Sequence, residues 1–418
     1  MGTTPEAGTA AGATPEAGPM KVGAMHDGAA KIGAAAKAGM APVAVPAAAA
    51  VPPVLIAGAG PVGLSAALAL QARGVPVQLV DAKPRDAIGH DPRAVALAHG
   101  SRLILERLGV WGGVAATAIR HIRVSQQAGF GQTRIEAADH DVEALGYVVR
   151  LGALNQALLQ AAEAAGIALR FGQPLGKVAH GPDTLIASIG AERQEAGLVV
   201  YAEGRPTGEH VRSKDYAQTA IVTEAWSEEP HGALAHERFT PQGPLALLPL
   251  ESGYSIVWCM GPERAAALMA LDDGAFLAEL SGATGFAQRR WRHVAARHAY
   301  PLTLVTRGPM PHAREIALGN ASQALHPVAG QGLNLGLRDA FELAEALQHG
   351  VTPAALAAYA RRRKLDRTAM IAITDRYVSL FSNDFLALRG ARGLGLTALN
   401  LLPPLRGLIA RRMMFGLR

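Results

Sequence analysis

The first regular pattern along the chain is a short apolar run, then a helical pattern, then a second apolar run. Val54 to Ala57 are four consecutive apolar residues, as in a strand buried on both faces of a parallel sheet. Leu64 to Arg73 are mostly alanine and leucine and are followed by Gly74, which predicts a helix that ends there. Val77 to Val80 form the next apolar run, which ends in Asp81. The pattern predicts a strand–helix–strand unit.

Later regions carry other patterns. Residues 234–259 contain the apolar or alternating stretches "ALLPL" and "YSIVW", which predict strands of a sheet. We expect a helix from Leu333 to Leu347, and residues 358–367 have the composition of a charged, solvated helix surface.

The C-terminal stretch from Leu386 onward alternates apolar clusters with arginines, and no acidic residue follows Asp384. One helical face is predicted to carry apolar side chains, namely Leu405, Leu408, Ile409, Met413 and Phe415. Such a segment is typical of a helix that lies on an anionic membrane surface. A helix that packs on its own domain with a rim of arginines would have the same composition, so both interpretations stay open.

The first 50 residues are dominated by alanine, glycine and proline, which predicts a disordered tail because few large apolar side chains offset its ordering entropy. Residues 1–19 contain no Lys or Arg, so the basic start of a secretory signal is missing. The apolar run from Val43 to Leu70 is broken by four prolines, which argues against one membrane-spanning helix.

Composition narrows the class of protein. Half of the 418 residues are hydrophobic and 18% are charged, as in a globular chain of two or three domains. The net charge of +6 suits an anionic membrane, a phosphate-bearing cofactor or nucleic acid, and equally a solvated arginine-rich surface. No zinc-knuckle or aromatic-basic pattern supports nucleic acid, so we expect no such partner. The single cysteine, Cys259, excludes an intrachain disulfide and a cysteine-based metal cluster, and we predict no metal site.

The turn after the first predicted strand carries the motif Gly58-x-Gly60-x-x-Gly63. Gly58 permits the tight turn, Gly60 lets a pyrophosphate approach the backbone, and Gly63 lets the helix pack close to the strand. The helix N-terminus offers N–H groups to phosphates, and Asp81, 18 residues beyond Gly63, is placed to accept from ribose hydroxyls. The combined pattern predicts dinucleotide binding by the whole turn, which also includes Ala59, Pro61 and Val62.

Several stretches together resemble the single-component FAD-dependent aromatic hydroxylases, the class typified by p-hydroxybenzoate hydroxylase. They are residues 54–84, "DPRAVALAHGSRLILERLGVW" (91–111) and "GNASQALHPVAGQGLNLGLRDAF" (319–341). Within the class, the ubiquinone-biosynthesis branch, and in particular its methoxyphenol hydroxylases, is similar in "ERFTPQGPLALLPL" (237–250), "SIVWC" (255–259) and "HAYPLTL" (298–304). The resemblance covers roughly residues 52–418.

The resemblance implies that residues 319–341 line the flavin. Asn320 stands where the class usually has an Asp that holds the ribityl hydroxyls, and its amide keeps an acceptor and adds a donor. Gly330 and Gly332 leave room for the edge of the isoalloxazine ring, with Leu333 and Asn334 beside them. The N-terminus of the helix that follows would direct partial positive charge at the ring, which favours its reduced form.

The resemblance also suggests catalytic residues. Pro327 would lie against the ring near its reactive carbon, and His326 is a candidate contact to substrate or flavin, with a hydrogen bond inside the loop as the alternative. His298 and Tyr300 are weaker candidates.

Two further positions concern the electron donor. Arg93, in "DPRAVAL", would reach the FAD pyrophosphate or the nicotinamide donor, or else be a surface arginine. In "YAEGRPTGEHVR" (201–212), Glu203 stands where the class usually has Asp, and the spacing to Arg212 differs. Because that motif serves both dinucleotides in the class, the change bears on reactivity with NAD(P)H.

The implied fold is α/β: a Rossmann-like FAD-binding domain interleaved with a β-sheet substrate domain, plus C-terminal helices. We expect FAD binding by residues 51–200 and 305–350, a substrate sheet at 201–304 and helices at 351–418. The implied reaction is hydroxylation of a polyprenylated methoxyphenol, with NAD(P)H as transient electron donor, through a flavin C4a-hydroperoxide that an apolar site must shield from water.

The expected location is the cytoplasm, with peripheral attachment to the inner face of the cytoplasmic membrane and a place in a ubiquinone-biosynthesis complex. Three rival interpretations remain: another ring hydroxylase of the same pathway, a soluble phenol hydroxylase of catabolism, and a non-catalytic FAD-binding scaffold.

Overall fold

The computed structural model describes residues 51–127, 129–204, 206, 210–286, 289–308, 310, 312–325, 330–381 and 386–416. Their strands are, in chain order, β1 (Val54–Ala57), β2 (Val77–Asp81), β3 (Ala94–Ala98), β4 (Ala116–Ile119), β5 (His121–Gln126), β6 (Gln132–Glu136), β7 (Gly146–Arg150), β8 (Ala168–Phe171), β9 (Leu175–His180), β10 (Leu185–Ile189), β11 (Glu192–Ala196), β12 (Leu198–Tyr201), β13 (Val211–Ser227), β14 (Leu234–Thr240), β15 (Gly243–Leu250), β16 (Gly253–Met260), β17 (Trp291–Val294), β18 (His298–Arg307), β19 (Glu315–Ala317) and β20 (Gln323–Ala324). Their α-helices are α1 (Pro61–Gln71), α2 (His99–Arg107), α3 (Leu151–Ala164), α4 (Pro262–Met269), α5 (Asp273–Thr284), α6 (Gln331–Leu347), α7 (Pro353–Phe381), α8 (Leu386–Leu401) and α9 (Pro403–Phe415).

A five-stranded parallel sheet carries the N-terminal part, with the strand order β19-β12-β1-β2-β8. In β1, Ile56 lies opposite Val200 of β12 on one side and Leu79 of β2 on the other. Every side chain of β1 is buried, so both faces of the sheet must be covered. Helices α1, α3 and α6 pack with Val54 and Ile56 on one face, and the antiparallel sheet β11-β10-β9 packs with Leu55 on the other.

The predicted strand–helix–strand unit is observed, with shifts at the helix ends. β1 has the predicted bounds, and β2 includes Asp81 as its last residue. α1 begins earlier than Leu64, at Pro61, because the ring of proline suits the first helical turn, where its missing N–H has no intrahelical partner in any case. The predicted helix at Leu333 likewise begins earlier, at Gln331.

A mixed sheet forms the second layer, in the order β20-β18-β13-β16-β15-β14-β5-β6, with β17 also paired to β13. Most of its strands come from residues 211–307, close to the region expected to form the substrate sheet. β5 and β6 come from residues 121–136, inside the region expected to bind FAD, and β5 runs parallel to β14. The chain therefore passes between the two sheets more often than the expected bounds provide for, and the two are interleaved as the fold class implies.

The small antiparallel sheet β3-β7-β4 links these parts. Ala94 and Ala96 of β3 pack in one apolar cluster with Ile122 of β5 and Leu248 of β15. Arg150, at the end of β7, makes ion pairs of 2.8 Å with Glu224 of β13 and with Glu251. The strand β3 thus lies against the mixed sheet on one side while α6 contacts it on another.

The last helix, α9, has one packed and one exposed face. Ala410 and Met414 are buried in a cluster with Ile135 of β6 and Ala137, as expected of a helix that packs on its own domain. The opposite face exposes leucines, among them Leu401, Leu402, Leu405 and Leu408 just before and within the helix. Within the described residues no single helix is long and apolar enough to cross a membrane; Arg392–Leu401 and Pro403–Phe415 meet that test only as a pair bent by 100°.

Candidate cofactor site and substrate wall

The turn between β1 and α1 is shaped by close backbone contacts. Gly58 has φ +110°, and a Cβ there would lie 2.8 Å from the carbonyl group of Ala202, so only glycine fits. A Cβ on Gly63 would collide with the carbonyl oxygen of Gly58. At Gly60, by contrast, a Cβ would meet no atom of the described residues within 4 Å. The position of a Cβ at Gly60 therefore lies in open space, whereas at Gly58 and Gly63 it is occupied by other parts of the protein backbone.

The open space at Gly60 lies at the uncapped N-terminus of α1. Gly60 is the N-cap of α1, no side chain caps it, and the first turn has no acidic residue. The N–H groups of Val62 and Gly63 in that first turn have no intrahelical acceptor, and the helix dipole adds positive potential. This arrangement fits the pyrophosphate of a dinucleotide. Two other residues of the turn are anchored in the protein: the side chain of Ala59 is fully buried, and Val62 packs against the core.

Asp81 is fixed beside this turn at the C-terminal end of β2. Its carboxylate accepts hydrogen bonds from the backbone N–H of Ala59 at 2.6 Å and of Lys83 at 2.7 Å. Each oxygen keeps a further lone pair, so the carboxylate can still accept from a ribose hydroxyl. Glu203, just after β12, lies close enough to feel this charge: burial and the negative charge of Asp81 both raise the pKa of Glu203.

The second glycine-rich region begins at a turn of 3-10 helix, Gly319–Ala321, directly after β19. Asn320 is exposed there, and a Cβ on Gly332 would have the Asn320 Oδ1 as its nearest neighbour, at 3.9 Å. Gly330 is left-handed, with φ +60°, and serves as the N-cap of α6 without any side-chain cap. The structure thus brings Asn320 close to Gly332 at the start of α6, next to Gly330, whereas Leu333 packs against the core.

Asn334 is a buried connector between α6 and β3. Its side-chain oxygen accepts from the Ala98 N–H at 2.8 Å and from the Ser101 hydroxyl at 2.7 Å. Its amide group donates to the carbonyl oxygens of Ala96 at 3.0 Å and Gly330 at 2.8 Å. All four hydrogen bonds that this side chain can make are made within the protein, so it fixes the backbone at Gly330 against β3.

Asp339 of α6 stabilises the turn that begins at Gly319. This fully buried carboxylate accepts from the Gly319 N–H at 3.2 Å and from the Arg363 guanidinium at 2.6 Å. Arg363 of α7 is 2% exposed and also pairs with Glu342 and Asp366. The composition of the sequence predicted a solvated charged surface for this part of α7, and at Arg363 that prediction is wrong because these acids of α6 and α7 offset its charge. The network could be found only from the tertiary contacts.

Arg93 lies at the surface in a bidentate pair with Asp91, with Nη2 2.6 Å from the carboxylate. The pair raises the pKa of the guanidinium and lowers that of the carboxyl group. Tyr300 of β18 is near enough to interact electrostatically with Arg93, which places both at the edge between the two sheets. The predicted catalytic residues His326 and Pro327 lie outside the described residues.

One face of the mixed sheet is largely apolar, and we call it the substrate wall because most of it comes from the region in which a substrate sheet is predicted. Its partly buried positions include Ile122, Val124, Ala246, Leu248 and Val257, on neighbouring strands. This face meets β3, and Ala96 of β3 is the nearest neighbour of a Cβ built on Gly330, at 3.4 Å. The apolar face therefore lies close to Gly330, with Ala96 between them, as a site that must exclude water requires.

Glu237 is a polar residue of this wall that the motif analysis missed. It occupies the middle of β14, in register with Val124 of β5 and Ala246 of β15. A signal existed in the sequence, because the alternation in "LAHERFT" puts Glu237 on the same face as the buried Ala235 and Phe239.

Comparison with known proteins places these features in one family. The model of the FAD binding domain matches residues 52–374. The ubiquinone hydroxylase UbiL of Rhodospirillum rubrum is 34% identical over 87% of this chain and 90% of its own length. The 3-demethoxyubiquinol 3-hydroxylase of Escherichia coli is 31% identical over 82% of this chain and 94% of its own. In fold, p-nitrophenol 4-monooxygenase of Pseudomonas putida has a TM-score of 0.71 at 17% identity, over 88% of this chain and 99% of its own.

Proposed function

Because this chain belongs to the FAD-dependent monooxygenase family of ubiquinone biosynthesis, we propose that it hydroxylates the ring of a polyprenylated methoxyphenol. FAD, when bound, supplies the chemistry that activates dioxygen, and NAD(P)H is the proposed electron donor. The observation that carries the proposal is that Ala96 of β3 lies against both Gly330 and the apolar face of the mixed sheet. An apolar phenol bound to that face would lie next to the flavin.

We assign the turn after β1 to the pyrophosphate of FAD. The bare backbone at Gly60 and the uncapped N-terminus of α1 favour an anion there. Asp81, already oriented by two backbone donors, accepts from the ribose hydroxyls. Arg93 lies at the surface, just before β3, and is assigned to a phosphate or to the nicotinamide donor once it leaves Asp91.

For the flavin half, Asn320 binds the ribityl chain and the backbone at Gly330 and Gly332 carries the ring edge. The support is that Asn320 is exposed and that Gly332 has almost no neighbours. Leu333 and Asn334 contribute through their backbone, because their side chains face the protein interior. His326 and Pro327 stay in the proposal from the sequence resemblance alone.

The mixed-sheet wall binds and orients the substrate ring and excludes water from it. Val124, Ala246, Leu248 and Val257 present few hydrogen-bonding groups, so a water molecule at this wall would find few partners. Excluding water keeps the activated oxygen for the ring carbon.

We further propose that α9 rests on an anionic membrane, where a polyprenylated substrate resides. Its outward face carries Leu405, Leu408 and Ile409, with Arg411 and Arg412 also exposed, and no acidic residue follows Asp384. Sedimentation with vesicles of anionic and of neutral lipid tests this: binding to the anionic ones only, lost in Leu405→Ser/Leu408→Ser, is the expected result. Equal recovery with both kinds of vesicle would contradict it.

The first test of the reaction is anaerobic reduction of the FAD-loaded protein by NADH and by NADPH. Flavin absorbance is followed with and without a short-chain 2-prenyl-6-methoxyphenol, and the hydroxylated product is identified after air is admitted. We expect the phenol to accelerate reduction and to gain one oxygen atom. FAD that neither donor reduces would favour a scaffold role, for which Glu203 beside Asp81 is the supporting observation. A product hydroxylated at another carbon would identify another enzyme of the pathway.

A further inference from the structure

The two faces of β14 have different environments. His236 lies opposite Leu247 of β15, which belongs to the core that α4 and α5 cover. Since side chains alternate along a strand, Glu237 points to the other face, the one with Ala235. Ala235 packs in the cluster that includes Ala96 of β3 and Leu248. The carboxyl group of Glu237 is therefore on the substrate wall.

Within that wall Glu237 has apolar neighbours. Val124 and Ala246 flank it on the two adjacent strands, and Val257 follows on the next one. Among the described residues no hydrogen bond or ion pair engages its carboxyl group, although the residue is partly buried. A partly buried carboxyl group without a protein partner is costly unless something else uses it. Burial raises the pKa of Glu237 to about 7, the range in which a carboxylate can accept and return a proton.

Other titratable groups on the described part of this face do not replace Glu237. Cys259 of β16 is buried, and burial, with the charge of Glu237, raises the pKa of its thiol, which keeps it neutral. Glu224 is held by Arg150 in a bidentate pair. Tyr216 of β13 packs beside Val257, and burial, with the charge of Asp375, raises the pKa of its hydroxyl to about 12, which keeps it neutral. His298 and Tyr300 lie at the rim, on the exposed end of β18.

We propose that Glu237 is a catalytic residue that binds the phenolic hydroxyl of the substrate and takes its proton during ring hydroxylation. This inference rests on the proposed function, because it assumes that the wall binds a phenol. The hydroxyl group donates a hydrogen bond to the Glu237 carboxylate, which positions the ring while the apolar side chains hold its two faces.

The O–H bond of the phenol breaks, its proton goes to Glu237, and its electron pair enters the ring as the ring carbon forms a bond to the terminal oxygen atom of a hydroperoxide, the oxidant that bound FAD would supply from dioxygen. The O–O bond of that hydroperoxide breaks in the same step, and its electron pair stays on the other oxygen atom. The ring is then a cyclohexadienone that carries a hydroxyl group. Its C–H proton leaves to water and the electron pair restores the aromatic ring, while Glu237 returns its proton to the original oxygen. Glu237 ends as it began.

Binding of 2-prenyl-6-methoxyphenol to the oxidised, FAD-loaded protein tests the contact without turnover. The dissociation constant, read from the change in the flavin spectrum, is expected to fall about tenfold between pH 5.5 and 8.5, because only the ionised carboxylate is a strong acceptor. In Glu237→Gln, and for the methyl ether of the same phenol, the constant is expected not to change with pH. The same pH dependence in Glu237→Gln as in the wild type would overturn the contact.

Turnover tests the proton transfer. We expect Glu237→Gln to lower kcat by about 100-fold, with the rate of flavin reduction by NAD(P)H in the absence of phenol unchanged, and Glu237→Asp to restore part of kcat. A ring-fluorinated phenol, whose proton is more acidic, should shrink the deficit of Glu237→Gln. An equal deficit with both phenols would show a packing role only, and so overturn the assignment.

The control is Glu195→Gln, the same change at an exposed position of β11, which should behave as the wild type. Failure of the inference and failure of the proposed function are distinguishable. A wild type that hydroxylates the phenol while Glu237→Gln keeps full kcat refutes the role of Glu237 alone. A wild type that shows the pH-dependent binding but makes no product refutes the hydroxylase and leaves the contact.

Discussion

The turn at residues 58–63 and the second glycine-rich region, of which residues 319–325 and 330–336 are described, are held by different forces. In the first, the backbone of Gly58 packs on Ala202 and that of Gly63 on Gly58, so sterics between neighbouring strands and α1 fix the turn. In the second, a charge fixes the loop: Asp339 holds the Gly319 N–H and is itself held by Arg363. The comparison teaches that a bare backbone can be built by close packing or by a buried ion network.

In both regions some glycines face open space and others face the protein. Gly60 and Gly332 face open space, which suits a ligand, whereas Gly63 and Gly336 face the protein, since a Cβ on Gly336 would lie 2.6 Å from a methyl group of Val62. A glycine in a motif therefore does not by itself indicate a ligand contact. Substitutions separate the two classes because one should affect stability and the other binding.

The largest effect is expected from Asp339→Asn, which removes the buried charge behind the second loop. Arg363 would lose its ion pair with Asp339, one of two at 2.6 Å, and the free energy of unfolding should fall by about 3–5 kcal/mol. Urea denaturation of the FAD-free protein measures this. The control is Asp183→Asn, at an exposed loop position, which should leave the midpoint unchanged. A midpoint equally unchanged in Asp339→Asn would mean that charge does not hold this loop.

Gly63→Ala is expected to have the next largest effect, because the added methyl group would collide with the Gly58 carbonyl oxygen. Backbone atoms cannot move to relieve the clash as the end of a flexible side chain can, so we expect the free energy of unfolding to fall by about 2–3 kcal/mol. The same urea titration applies, with Gly74→Asn, at a left-handed position with no neighbours within 4 Å, as a comparison of small effect. Full stability in Gly63→Ala would refute the steric account of the first turn.

Gly60→Ala should change stability by less than about 0.5 kcal/mol, since its Cβ enters open space. If the pyrophosphate lies there, the methyl group should weaken FAD binding by about tenfold, or ~1.4 kcal/mol. Fluorescence titration of the FAD-free protein with FAD gives the constant. Gly332→Ala is the matched change in the second loop and should act in the same direction. Unaltered FAD affinity in both variants would place the cofactor elsewhere.

Short-range patterns explain which parts were predictable. The bounds of β1 and the presence of α1 follow from residues that are neighbours in sequence, and the fold class and FAD family follow from motifs in a fixed order. The beginnings of α1 and α6 were missed by a few residues because Pro61 and Gly330 act as helix starts. Glu237 was visible in the alternation of β14, but its significance depends on what covers each face.

Long-range contacts explain the rest. Asn334 bonds to residues more than 230 positions away, β5 and β6 join a sheet whose other strands follow much later in the chain, and Asp339 binds a partner on the next helix. The sequence by itself determined the strand–helix–strand unit, the glycine turn and the family, because local backbone geometry and apolar period encode them. Only the tertiary structure decided which glycines face a ligand, which charges are buried and which face of the sheet carries Glu237, because packing between distant segments determines burial.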